Sequence, residues 1–295
     1  MKLGSKEHKK LFCQTFLDSH IHYEPEDLPW PELDSFHLNR LKSIPFWREA
    51  LTIEEEAGRM VSFFADTIDD PLIRDAIALQ GREEQRHGRL IQYLINHYQL
   101  DIAPPEKEEL PKDIQKEFIE FGFGECLDSF FAFGMFGIAR QAQYLPEPFF
   151  TIFDPILDEE ARHIVFFVNW VTYLQIQSGK GFPLLRGVNT FLSYLGAIRN
   201  LVDSFGDVDL GGTQEEGEVN PFTASGASHF MEDLTPKLFF ATCLAENEKR
   251  MAKFDRNLLQ PMLFPRLSKL AYQVLRILPE KNSKSISNSV KTSIT

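Results

Sequence analysis

Two copies of one five-residue pattern constrain the fold of this 295-residue chain more than any other feature. Glu-Glu-x-Arg-His occurs at 83–87 and again at 159–163, and in each copy the second Glu lies three residues before the His. Positions three apart share one face of a helix, so each copy points a carboxylate and an imidazole in the same direction. One such pair alone is typical of a solvated helix face, whereas two near-identical copies indicate a metal site.

The residues around both motifs follow a helical pattern, and strand patterns are nearly absent. The predicted fold is therefore all-α, a four-helix bundle with additional C-terminal helices. Each motif falls on the second helix of a predicted pair, which is typical of a duplicated helical hairpin. The predicted bundle helices run from Pro45 to about Thr67, from Asp70-Pro71 through the first motif, from about Pro111–Asp113 to a point before Pro146, and from Asp154-Pro155 to about Gln177.

The rest of the chain divides by composition. Residues 1–44 mix charges with prolines and show no sustained period, which predicts an N-terminal arm packed on the body. Residues 45–178 form the predicted bundle, and residues 179–279 are predicted to pack on it as further helices. The polar tail at 280–295 is expected to be disordered. Within the C-terminal part, helices are predicted at 183–204 and 234–278, with an exposed loop at 205–226.

A bundle that binds two metals needs one more carboxylate from each of the other two helices. On the first helix, Glu54 shares a face with apolar residues and is the predicted ligand, with Glu56 as the second choice. On the third helix, Glu125 lies in a Phe- and Gly-rich segment, where a buried charge is costly unless it is paired or binds a metal. Asp128, one turn later, is an alternative ligand or an acceptor behind the ligands.

Composition excludes several classes of function. A formal charge of −12 argues against nucleic-acid binding, which needs a basic face. The three cysteines are too far apart in sequence for a zinc knuckle or a rubredoxin-type iron site, and they do not suggest a disulfide scaffold. The first residues lack the apolar run of a signal peptide, and the longest uncharged stretch, 164–179, is shorter than the roughly 20 residues of a spanning helix. These features predict a cytoplasmic protein with no transmembrane segment.

The combined ligand pattern resembles the ferritin-like di-iron carboxylate superfamily over about residues 45–175. The stretch at 54–65 looks like the first helix of rubrerythrin-type proteins, and the stretch at 83–91 looks like the matching run of soluble acyl-carrier-protein desaturases. The resemblance implies two iron ions, or a manganese–iron pair, bridged by one of the two motif carboxylates. The residues that match the superfamily's ligands are Glu54, Glu84, His87, Glu125, Glu160 and His163.

The resemblance also implies hydrogen bonds behind the ligands. The acid before each motif carboxylate is expected to accept a hydrogen bond from the histidine of the other motif, so that Glu159 pairs with His87 and Glu83 pairs with His163. Arg86 and Arg162 are expected either to balance these added negative charges or to form surface ion pairs.

Together, the ligand set and the resemblance imply an oxidoreductase that activates O2 and oxidises an apolar small molecule. Hydroxylation, desaturation, N-oxygenation and oxidative carbon–carbon cleavage are the candidate reactions. Electrons are expected from an external ferredoxin or reductase, because the chain has no flavin or nicotinamide fingerprint. One alternative is iron oxidation or peroxide reduction, as in ferritins and rubrerythrins. The other is a non-enzymatic, metal-stabilised helical binding protein. A homodimer is compatible with the sequence.

Phenylalanine is the compositional outlier, because the chain has 27 of them and twelve lie between Phe118 and Phe167. The same segment carries three of the predicted ligands, so these rings are expected to form an apolar wall around the metal site. Four glycines in the third helix predict close helix packing, a kink or space for a ligand. They are Gly122, Gly124, Gly134 and Gly137.

Overall fold

The computed structural model describes residues 1–105, 109–179, 223 and 226–277. These residues form nine α-helices and one short 3-10 helix at Pro25–Asp27, with no strand among them, which confirms the all-α prediction for the described part of the chain. In chain order the helices are α1 (Lys6–Asp18), α2 (Ser35–Ser43), α3 (Trp47–Asp66), α4 (Pro71–His97), α5 (Ile114–Gln141), α6 (Glu147–Gln177), α7 (Ala227–Phe230), α8 (Pro236–Met251) and α9 (Leu263–Ile277).

Helices α3 to α6 pack as a bundle. α3 lies against α4 and α5, and α6 lies against α5 and α4. Glycines bring α3 and α4 close together: a Cβ at Gly81 would lie 2.5 Å from Ser62 Oγ, and a Cβ at Gly58 would lie 2.6 Å from Gln85 Cγ. No side chain fits at such distances in a close-packed interior. The helix that carries the first motif is therefore held tightly against α3.

Helix α6 differs from its prediction. A start at Asp154-Pro155 is wrong, because the helix begins at Glu147 and continues through Pro155. Pro148 occupies the first turn, where the missing N–H leaves no bond unmade. Pro155 does remove one interior hydrogen bond, but the extra turns bury a set of large side chains. These are Phe149, Phe150, Ile152 and Phe153.

Residues 1–44, which show no regular period in sequence, contain the helices α1 and α2. α1 packs on α4 and α6, where it buries Phe12 and Phe16. Lys9 forms an ion pair with Asp70, the residue whose carboxylate caps the start of α4. The segment before the bundle is thus packed against the bundle helices.

The C-terminal helices extend the bundle on the side of α5. α8 packs on α5, and α9 packs on α8 and α5. A Cβ at Gly134 would lie 2.1 Å from Cys243 Sγ, so this glycine permits the contact between α5 and α8. The helix predicted at 183–204, nearly all of the predicted loop at 205–226 and the tail at 280–295 lie outside the described residues.

The twelve clustered phenylalanines are shared between two apolar cores. Phe149, Phe150 and Phe153 belong to one core and Phe136 contacts both. The other eight lie in the second core, which also contacts α1 and α8. They are Phe118, Phe121, Phe123, Phe130, Phe131, Phe133, Phe166 and Phe167.

By length and composition, α5 is the one described helix that could cross a membrane, and 67% of its apolar stretch is buried in the protein.

Candidate metal centre

A buried cluster of carboxylates and imidazoles lies between the four bundle helices. One ligand atom from each of four residues lies within 4.8 Å of the others, a spacing that suits a metal ion. These residues come from α3, α4 and α6, and they are Glu54, Glu84, His87 and Glu160. His163 lies on the far side of the two motif carboxylates, and its side chain is fully buried.

Glu84 and Glu160 each lie between the two histidines. His87 Nδ1 is 3.1 Å from Glu160 Oε1 and 3.6 Å from Glu84 Oε2. His163 Nδ1 is 3.1 Å from Glu84 Oε1 and 3.6 Å from Glu160 Oε2. Each carboxylate therefore turns one oxygen toward each imidazole, and Glu54 adds an oxygen 3.4 Å from His87 Nδ1. Two carboxylates arranged in this way can bind a metal ion together with the imidazoles.

Three atoms inside the cluster have no hydrogen-bond partner among the described residues. They are His87 Nδ1, His163 Nδ1 and Glu160 Oε2, and all three are buried. Buried polar atoms are rarely left unpaired. Imidazole nitrogens and carboxylate oxygens are ligands that iron and manganese accept. The donor set and the unpaired atoms therefore fit a metal ion.

The carboxylates and imidazoles of the cluster shift one another's pKa values. Burial alone would lower the pKa of His87 and His163, but the surrounding carboxylates hold both values well above the usual range. The imidazoles in turn keep the pKa of Glu84 and of Glu160 below the ordinary value, against the effect of burial. Burial raises the pKa of Glu54 to about 7. The cluster thus has an excess of negative charge that attracts protons or cations.

A second layer of ion pairs lies behind the histidines. His87 Nε2 is 2.8 Å from Glu159 Oε2, and His163 Nε2 is 2.9 Å from Glu83 Oε2. These are the two pairings that the resemblance implies. Both acids are fully buried, and each also accepts a hydrogen bond from an arginine of its partner motif. The arginine bonds are Arg86 to Glu159 at 2.5 Å and Arg162 to Glu83 at 2.7 Å, so these are buried ion pairs.

Three further residues contact this site, and sequence analysis missed them. His20 Nδ1 is 2.6 Å from Glu83 Oε1, and the Tyr23 hydroxyl donates to Glu159 Oε2 at 3.0 Å. Both precede the bundle, where no local pattern links them to the motifs. Gln80 donates to Glu84 Oε1 at 3.2 Å. Its position one turn before a motif carboxylate is the one sequence signal that could have found it.

The remaining candidates lie beside the cluster. Glu125 is not among the four closely spaced residues, but burial and its neighbours Glu160 and Glu84 raise its pKa well above the usual value. Asp128 accepts a hydrogen bond from the Thr223 hydroxyl at 3.3 Å. Glu56 on α3 is half buried and lies outside the close group.

A cavity of about 300 Å³ opens beside the cluster. Glu54, Glu125 and Glu160 form part of its wall, and most of the remaining wall is aromatic or aliphatic. Only one phenylalanine of α5, Phe136, is part of this wall, whereas three come from the start of α6. Four of the nine residues that α5 contributes to the wall are small, namely Gly124, Ser129, Ala132 and Ala139. The aromatic part of the wall is thus formed chiefly by α6 and by rings outside the cluster of twelve, namely Phe46, Trp47, Tyr144 and Phe230.

Comparison of the chain with models of known protein families, with curated proteins and with solved structures finds no match. The residues of the site offer a buried oxygen- and nitrogen-rich cluster that could bind a metal, next to an apolar cavity.

Proposed function

We propose that the protein is a non-haem di-metal oxidoreductase of the ferritin-like type, which uses O2 to oxidise an apolar organic molecule. The observation that carries this proposal is the position of the cluster. Two imidazoles and four carboxylates converge between the bundle helices, and three of the carboxylates also face an apolar cavity. A reactive centre and a substrate can thus lie side by side in one apolar cavity.

The chain divides the ligands between two metal ions. Glu54 and His87 would hold one ion, Glu125 and His163 would hold the other, and Glu84 and Glu160, which lie between the two histidines, would complete the site. Four carboxylates balance the charge of two divalent cations, which removes the cost of burying the acids. Iron is the metal that we propose, with a manganese–iron pair as the alternative, because the ligand types are the same for both.

When bound, such a pair of metals supplies the electrons that reduce O2. The chain's own residues orient the ligands and surround the substrate. Glu83 and Glu159 orient the imidazoles, since each accepts a hydrogen bond from the outer nitrogen of one histidine. The apolar wall excludes water and holds a substrate of low polarity. An external ferredoxin or reductase returns electrons after each turnover.

The cavity also separates the proposal from the alternatives. Storage or oxidation of iron needs no space for an organic molecule, and a site that only stabilises the fold needs none either. A wall in which aliphatic and aromatic side chains outnumber the carboxylates supports an oxidase with an organic substrate instead.

Anaerobic loading with ferrous iron, followed by addition of O2, tests the proposal. We expect about two irons per chain and an optical change that depends on O2. Glu84→Ala removes a carboxylate that faces both histidines and should abolish both signals. Glu120→Gln is the matched control, because Glu120 lies on the exposed face of α5 in an ion pair with Lys116. Failure to bind two irons would refute the di-iron centre, and iron binding with no response to O2 would favour a structural role.

A further inference from the structure

The cavity wall contains a polar spot that the proposed metal ligands do not include. Asp128 and Ser129 are neighbours on α5, and both line the cavity. The Ser129 side chain is buried, and its hydroxyl has no hydrogen-bond partner among the described residues. A buried hydroxyl without a partner is rare in proteins and indicates a missing polar group.

Apart from the proposed metal ligands, the other polar side chains of the wall have partners within the protein. Trp47 Nε1 donates to the Leu41 carbonyl at 3.0 Å, and the Tyr144 hydroxyl is 3.0 Å from His229 Nε2. These groups need nothing from a ligand. Asp128 and Ser129 are therefore the places where a bound molecule can satisfy polar atoms of the wall.

Asp128 has no positive partner in the described part of the chain. No Lys, Arg or His is among the described residues that line the cavity, and the Thr223 hydroxyl at 3.3 Å is the one hydrogen bond to its carboxylate. A carboxylate in such surroundings is stabilised by a cation.

Charge balance identifies the kind of cation. The four carboxylates proposed as ligands neutralise two divalent metals, so Asp128 is a surplus negative charge. A molecule with a carboxylate head group would be repelled by it. A neutral hydroxyl would leave its charge without compensation. A primary ammonium group has three N–H donors, which match the Asp128 carboxylate and the Ser129 hydroxyl.

We propose that the cavity binds an otherwise apolar molecule that carries one primary ammonium group, which pairs with Asp128 and donates to Ser129. The inference rests on the proposed function in assigning Glu54, Glu84, Glu125 and Glu160 to two metals. The apolar part of the molecule lies against the aromatic and aliphatic wall. The cavity then selects amines over alcohols and acids of the same chain length.

The absence of a side chain at Gly124 leaves space in the cavity for the molecule. A Cβ at Gly122 or Gly134 would clash with a neighbour, whereas a Cβ at Gly124 would have no atom within 4 Å. Gly124 lines the cavity one turn before Asp128, on the same face of α5. A larger side chain here would fill space beside the head group without moving the backbone.

Calorimetric titration tests the inference, with octylamine, 1-octanol and octanoic acid as probes. The protein is the full chain, both metal-free and loaded with Mn²⁺. We expect octylamine to bind at least about tenfold more tightly than the other two. Asp128→Asn should remove that preference, and Ser129→Ala should reduce it. Gly124→Leu should weaken octylamine and 1-octanol alike, which places both probes in the cavity.

Matched variants separate this site from the metal site. Glu120→Gln, on the same helix but exposed, should bind octylamine like the natural chain. Asp128→Asn should keep its fold and its Mn²⁺ stoichiometry. Equal binding of octylamine and 1-octanol, an unchanged preference in Asp128→Asn, or loss of Mn²⁺ from that variant would overturn the inference. Binding of octylamine that depends on Asp128, in a protein that takes up no metal, would refute the proposed function and leave the amine site standing.

Discussion

Replacing Glu159 by Gln tests whether the buried acids behind the cluster hold the metal ligands in place. The Glu159 carboxylate accepts hydrogen bonds from His87 Nε2 at 2.8 Å, Arg86 Nη2 at 2.5 Å and the Tyr23 hydroxyl at 3.0 Å. Gln keeps the size of the side chain and one acceptor oxygen. It removes the negative charge and turns an NH2 group toward these donors. The imidazole then loses the acceptor that points its Nδ1 into the cluster.

Two magnitudes follow from these contacts. Loss of the acceptor behind a metal-binding histidine lowers metal affinity by roughly 10–100-fold, or about 1.4–2.7 kcal/mol. The side chain of Arg86 is only 6% exposed, and removing the partner of such a buried charge costs about 3–5 kcal/mol of folding free energy. The variant should therefore be less stable and should bind metal more weakly at the His87 side.

The assay is anaerobic titration with Fe²⁺ against a competing chelator, with denaturant unfolding of the metal-free protein. Glu83→Gln is the matched variant, because it removes the acceptor behind His163 and should weaken the other side of the cluster. Glu120→Gln should leave both metal affinities unchanged. A folded Glu159→Gln protein that binds both metals with natural affinity would refute the reasoning.

Further perturbations have defined outcomes. Metal affinity should rise with pH, because the pKa values of His87 and His163 are raised and a metal must displace their protons. Metal titrations at several pH values measure this proton release. Gly122→Ala should lower the free energy of unfolding by roughly 1–3 kcal/mol, because its Cβ would lie 2.3 Å from the Phe167 ring. Gly124→Ala should raise the free energy of unfolding by about 0.5–1 kcal/mol, because its Cβ would meet no atom within 4 Å. Denaturant unfolding midpoints measure both changes. Adding a chelator to the loaded protein should lower its Tm, since the metal binds only the folded chain.

Local chemistry explains which predictions the sequence supported. The spacing of Glu84 and His87 places both on one helix face wherever that helix packs. Asp70 caps α4 through its own side chain, so the start of that helix is also a local property. The face that Glu54 shares with apolar residues indicates burial for the same reason. Such features need no knowledge of the neighbouring helices.

Other features depend on several segments at once. Pro155 looks like a helix start in isolation, but α6 begins earlier, at Glu147, because its first turns bury aromatic side chains. His20 reaches Glu83 across 63 positions of sequence, and no local pattern encodes that contact. The four glycines of α5 look alike in sequence, yet a Cβ would clash at Gly122 and meet open space at Gly124.

The sequence by itself determined the all-α class and the residue types of the candidate site, because helical period and motif spacing are properties of neighbouring residues. The tertiary structure decided which atoms meet. It turned one oxygen of each motif carboxylate toward each histidine and placed the outer acids behind the imidazoles. It also opened an apolar cavity beside the cluster, with Asp128 in its wall. These features depend on the packing of helices far apart in sequence, where the size of each side chain sets the distance between backbones.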